Sequence, residues 1–157
     1  MSLYIKAKIV SLNPLTVGDD NGIIEQVVVI ELSNGLRFGV LDGFVMQVKP
    51  DMIGKAKEIS IIIPVAVNVK IIPNREQGIE PSVENPLDYC YHRFFGFITK
   101  VGVKDIWYNE PGLQHLICLN VGFADILVEL HKEMFQSVKV GDFVEVLASM
   151  TTLLKIR

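Results

Sequence analysis

Along residues 3–12 apolar and polar positions alternate. Ile5, Ala7 and Ile9 take one face, and Lys6, Lys8 and Val10 take the other. A period of two marks a half-buried strand. Asn13-Pro14 breaks it, and residues 18–22 (Gly-Asp-Asp-Asn-Gly) read as a turn cluster. Their acids lack the alternating spacing and distant Glu of a calcium loop, so plain turn chemistry is the reading. Residues 23–32 form a second strand, Ser33-Asn34-Gly35 a hairpin turn, and residues 36–41 a third strand. Residues 42–48 give a short turn or helix that Asp42 could cap. After a turn at 50–54, residues 55–63 make a fourth strand. Pro64 bends or ends it, because proline cannot donate a ladder hydrogen bond. Residues 65–72 make a fifth.

The second half repeats this order. Strands are expected at 94–101, 113–121, 123–130, 143–148 and 151–156, with a short helix at 131–138 between the third and fourth. Gly54 and Gly141 stand 87 residues apart, as do Glu58 and Glu145, Ile59 and Val146, and Lys70 and Arg157. The spacing grows to 89 and then 91 toward the first strand, as loop-length change between two copies would give. The expectation is an all-β protein with an internal repeat. Two tandem five-stranded barrels occupy residues 1–72 and 93–157, and each carries a short helix between strands three and four. Residues 73–92 hold three prolines without apolar periodicity and read as an acidic, Pro-containing linker.

Strand, strand, strand, short helix, strand, strand resembles the oligonucleotide/oligosaccharide-binding (OB) fold in topology. That resemblance implies ligand contact on the faces of strands two and three and on the loops joining strands one to two and four to five. It carries over no residue roles.

Composition narrows the function classes. Half of the 157 residues are hydrophobic and 21% are charged, as in a well-folded chain. The net charge of −3 comes wholly from residues 73–91, where Arg75 faces Glu76, Glu80, Glu84 and Asp88. Neither half has the basic surplus of a nucleic-acid binder. The two cysteines, Cys90 and Cys118, form no close pair, and the longest apolar run is too short for a membrane helix. A cytoplasmic protein with reduced thiols and no membrane association is expected.

Trp107 and Tyr108 are the sharpest candidates for ligand contact. They sit in the first loop of the second half with Lys104 nearby, a set that could stack a base or a sugar, or merely close a barrel end. Arg37 is the other candidate. If Phe38 faces the core, Arg37 is exposed on the sheet. Cys90, His92, His115, Cys118 and His131 lack the paired spacing of a zinc site, so no metal is assigned. No cofactor motif or catalytic residue is identified either, and the balance leans against an enzyme. Glu58 and Glu145 read as solvent-facing strand residues.

The apolar runs 27–32 and 59–72 are greasy on both faces, and such strands are covered twice. The leading expectation is therefore a non-catalytic binding or assembly module acting through a homo-oligomer or protein partner. Single-stranded nucleic-acid binding is the alternative, opposed by the neutral charge. An enzyme with a site between the barrels is the third.

Overall fold

The computed structural model describes residues 3–20, 22–43, 46–103 and 115–157. The chain is almost entirely β. Its strands are β1 (Ile5–Val17), β2 (Ile23–Leu32), β3 (Arg37–Asp42), β4 (Ala56–Ile71), β5 (Gly78–Glu80), β6 (Arg93–Val101), β7 (Leu116–Asn120), β8 (Asp125–Glu129) and β9 (Phe143–Ile156). A 3-10 turn at Pro50–Met52 joins β3 to β4, and a short helix, α1 (Lys132–Ser137), joins β8 to β9.

One nine-stranded sheet, in the order β1-β2-β3-β9-β4-β8-β7-β6-β5, holds these elements together. Further pairings of β1 with β4 and of β9 with β6 close it on itself twice. One hydrogen-bonded circuit runs β1-β2-β3-β9-β4 and back to β1. The other runs β6-β7-β8-β4-β9 and back to β6. Both use the long strands β4 and β9, which pair antiparallel from Ile59↔Ile156 to Ile71↔Val144. Each circuit contains one parallel contact, Leu41↔Thr152 in the first and Ile62↔Leu127 in the second.

The expected separate fourth and fifth strands are corrected by this arrangement. Residues 56–71 run as one strand, as do residues 143–156. Pro64 does not end β4. The register shifts between Ile62 and Val65, so the proline sits where no ladder bond is required of it. β1 likewise runs through Asn13-Pro14, with register shifts on either side. Between β3 and β4 the only helical turn among the described residues is at Pro50–Met52, later than the expected 42–48.

The alternation read from the sequence places the core. Ile5, Ala7 and Ile9 of β1, Val28 and Ile30 of β2, and Ile59, Ile61 and Ile63 of β4 share one apolar cluster. The same cluster includes Phe94, Ile98, Ile117, Val128 and Val146 from the second circuit. Ile62 points the other way, into a smaller cluster with Leu116, Cys118, Leu127 and Leu154. That second cluster is why β4 is apolar on both faces.

Residues 81–92 cross the outer face of β2 and β3 as an ordered strap. The Gly39 amide donates to the Pro86 carbonyl at 3.2 Å, the Tyr91 amide to Ala148 at 2.9 Å, and the Thr151 amide to Tyr89 at 2.9 Å. A Cβ at Gly39 would lie 2.4 Å from the Leu87 carbonyl oxygen, so only glycine permits this approach. The strap covers the second face of β2, where Val27 and Val29 are buried.

Candidate functional site

β8 ends at Glu129, and the chain turns at buried Leu130 into His131 and α1. Beneath this corner lies the stretch of β4 just after Pro64. A cleft of about 410 Å³ lies between them, lined by Ala66, Asn68, Val69, His131, Met134 and Ser137 among others. A second concave space of about 250 Å³ adjoins it, lined by Pro64, Val65, Ala66, His115, Glu129 and Lys132 among others. Ala66 and His131 line both, so the two form one groove along the β4–α1 seam. Its floor is apolar. Its rim offers the His131 and His115 imidazoles, a primary amide, a hydroxyl and an ammonium group, together with the carboxylates of Glu133 and Glu129.

The groove wall is held by local contacts. The Glu129 carboxylate accepts from the His115 backbone amide at 3.2 and 3.3 Å, and the His115 Nδ1 lies 3.9 Å from it. The His115 ring packs on Phe135 with centroids 5.1 Å apart. The Leu130 amide closes onto the His115 carbonyl at 3.0 Å, and the Phe135 amide onto that of His131 at 2.9 Å. The exposed ring of His131 is thus carried on a fixed backbone.

Trp107, Tyr108 and Lys104 lie outside the described residues. Arg37 opens β3 and is exposed. It donates from Nε to Glu31 at 2.8 Å, directly across the β2–β3 pair. That hydrogen bond and the guanidinium charge hold the Glu31 carboxyl below its usual range. Arg37 lines neither part of the groove. The imagined Cys/His set is scattered. Cys118 and His92 are buried at separate places, while His115 and His131 meet at the groove. Among the described residues no group of three or more His, Cys, Asp or Glu is placed to hold a metal. His131 was visible in the sequence as a possible ligand residue. Asn68 and Ser137 carried no signal, because their value comes only from the pairing of β4 with the second circuit.

A third concavity, of about 520 Å³, separates the strap from β1 and β2. Val27, Val29 and Leu87 line it, together with Asn13, Glu84 and Asp88 among others.

No family model and no curated protein matches this chain. Among solved structures it is similar to that of the cytoplasmic molybdate-binding protein ModG with molybdate bound. Identity is 13% over 96% of this chain and 93% of that one, with a TM-score of 0.48. The expected homo-oligomer or protein partner, with nucleic acid as the lesser choice, is corrected. The apolar runs behind the expectation are covered within the chain itself over residues 27–32 and 59–63, while Val65, Val67 and Ile71 of the longer run are exposed. Ile59, Ile61, Ile62 and Ile63 are at most 1% exposed, Val27 is 7% and Val29 is 3%. No helix among the described residues is long and apolar enough to cross a membrane.

Proposed function

We propose that the chain is a small-molecule-binding protein whose ligand lies in the groove between β4 and α1. One observation carries this reading. Two adjoining concave spaces meet at Ala66 and His131, with an apolar floor and a few convergent polar groups. That is the usual make-up of a small-ligand site, and the larger space falls in the customary size range. His131 stands where the spaces join and is the residue on which binding should depend most. Asn68 and Ser137 would fix the ligand's orientation on one side and Lys132 on the other.

In the same reading the chain is two copies of one OB-like unit that exchange their last strands. Paired contacts support it. The Gly54 amide bonds the Ile9 carbonyl at 2.7 Å, as the Gly141 amide bonds Ile98 at 2.8 Å. The Ile9 amide bonds the Lys55 carbonyl at 3.0 Å, as the Ile98 amide bonds Asp142 at 2.9 Å. Both glycines have positive φ, 84° and 95°. The free thiols of Cys90 and Cys118 suit a reducing, cytoplasmic setting.

The test is thermal unfolding of the wild type and of His131→Ala with millimolar molybdate, sulfate, phosphate and small carboxylic and amino acids. A ligand at 100 times its Kd adds about 2.7 kcal/mol. The expected result is stabilisation by one chemical class that His131→Ala and Asn68→Ala abolish. Stabilisation by none of them, or stabilisation indifferent to both substitutions, overturns the groove as the site. Trp107, the single tryptophan, closely precedes His115 in sequence and offers a fluorescence reporter for the same titration.

A further inference from the structure

We propose that residues 81–88 are a lid over the outer face of β2 and β3, with His92 as its latch: closed while His92 is neutral, lifted when it is protonated. The His92 side chain is fully buried. Its Nδ1 accepts the Ser82 backbone N–H at 2.9 Å, so that nitrogen carries no proton. Its Nε2 lies 3.0 Å from the Gly39 carbonyl oxygen, which can only accept, so Nε2 holds the proton and donates. One neutral tautomer therefore ties the start of the lid to the centre of β3. The Phe38 ring meets the imidazole edge-on at 5.5 Å.

A second proton would go to Nδ1 and set two N–H donors against each other. It would also place a charge in a buried site, a cost that the nearby Asp88 charge only partly offsets. β3 presents Phe38 and the Gly39 carbonyl. β9 presents backbone, with the Ala148 amide bonded to the His92 carbonyl at 3.0 Å. Arg93 of β6 is exposed and lies 3.4 Å from Glu145. The lid itself contributes Asp88, whose charge and backbone carbonyl favour the proton, and the neutral Tyr89 and Cys90. Burial outweighs them and holds the His92 pKa below its ordinary value. An opened lid returns the ring to water, with a pKa near 6.5. The closed state thus binds fewer protons than the open one. Opening is disfavoured above about pH 6.5, rises by up to tenfold per unit as the pH falls, and levels off below the closed-state pKa.

The lid is built to part from its seat. Only the Gly39 amide and the latch join residues 82–88 to β3, whereas Tyr89 and Tyr91 are tethered to β9. Tyr91 has φ of 63°, the one positive φ outside glycine among the described residues, and lies in the tethered segment between the lid and the latch. Lifting would uncover Val27 and Val29 and widen the 520 Å³ surface cleft beneath Leu87. This device is independent of the groove at α1.

Hydrogen exchange of the 82–88 amides between pH 7.5 and 4.5, corrected for intrinsic rates, tests it. His92→Asn keeps an acceptor for Ser82 without a titrating group. In the wild type, protection of the lid should fall by up to tenfold per unit below about pH 6.5 while β4 and β9 hold theirs. In His92→Asn it should not depend on pH. Constant wild-type protection, the same pH response in His92→Asn, or parallel loss in β4 and β9 overturns the proposal. Nitrogen NMR of the wild-type imidazole gives a check that needs no variant. The Nε2–H form is expected at pH 7.5, and the Nδ1–H form would contradict the latch.

Discussion

Glu58 and Arg157, 99 residues apart, are joined three times: Arg157 Nε donates to Glu58 Oε2 at 2.8 Å, and their backbones exchange hydrogen bonds of 2.9 and 2.8 Å. Their counterparts at a spacing of 87, Glu145 and Lys70, face each other on the same two strands. The end of the chain is therefore part of the first circuit, and the end of β4 is part of the second. The exposed ion pair contributes little, because solvent screens it, and the guanidinium also lies 3.7 Å over the Tyr4 ring, so Arg157→Ala should cost about 1 kcal/mol.

Losing the strand itself is another matter. Deleting residues 151–157 removes the buried Leu153 and Leu154 and the pairing of Thr152 with Leu41 and Ile62. Each large buried side chain is worth about 2–5 kcal/mol, a large share of a typical domain's stability. The truncated chain should lose cooperative unfolding. Residues 1–72 alone should be unfolded by circular dichroism and gain structure on mixing with residues 73–157. A folded, monomeric 1–72 fragment would show that the pairing with β9 is dispensable.

Strand positions were legible because alternation survives in β1, β2 and β4, and turn glycines punctuate it. The sharing of β4 and β9 between the two circuits was not legible. Ile59–Ile63 is apolar on both faces, and a sequence cannot say whether a partner or the chain's own second cluster covers Ile62. The groove was hidden for the same reason. Asn68 and Ser137 are ordinary polar residues until β4 runs on beside α1. The strap was hidden because its contacts are made by backbone carbonyls of Pro86, Leu87 and Asp88 around a side-chain-free Gly39, which leave no hydrophobic pattern.

Two glycine substitutions separate crowding from backbone conformation. A Cβ on Gly96 would lie 1.9 Å from the Asn120 carbonyl oxygen, at the Phe97↔Asn120 end of the β6–β7 pairing. Backbone cannot yield there as a flexible side chain would. Gly96→Ala should cost about 3 kcal/mol or more. Gly35, at φ of 85° in the β2–β3 hairpin, has nothing within 4 Å, so Gly35→Ala meets only the left-handed penalty of about 1–2 kcal/mol. Urea unfolding at 25 °C should rank them in that order, and a reversed ranking would contradict the close approach at Gly96.

The two thiols should react in sequence. Burial pushes the Cys118 thiol up, and the nearby Asp125 charge adds to it. Cys118 is only 4% exposed. Cys90 is half-buried, and burial followed by the Asp88 charge raises its thiol as well. Both therefore hold less thiolate at pH 8 than a free cysteine does. Ellman's reagent should modify Cys90 slowly, faster as pH rises, and reach Cys118 only when urea unfolds the chain. Two rapid equivalents in native buffer would place Cys118 at the surface.

Asp42 gives the sharpest stability prediction. It is fully buried at the end of β3, with Oδ2 accepting from Gln26 Nε2 at 3.0 Å, the Val48 amide at 2.9 Å and the Gln47 amide at 3.1 Å. Gln26 also donates to the Val48 carbonyl at 2.9 Å, so the carboxylate and the amide together fold residues 47–48 back onto β2. Asp42→Ala leaves these donors without their acceptor, at about 1–3 kcal/mol for each that stays dry. The Gln47 amide is only partly buried and can turn to water, while Gln26 keeps its second bond. The net loss should therefore be near 3 kcal/mol rather than the full sum. Asp42→Asn retains one oxygen but turns an NH2 toward these donors, and should fall between the two. Gln26→Leu in the Asp42→Ala background should cost less than in the wild type, because its carboxylate partner is already gone and only the bond to the Val48 carbonyl is left to lose. Equal costs in both backgrounds, read by urea unfolding, would show that the two side chains act independently.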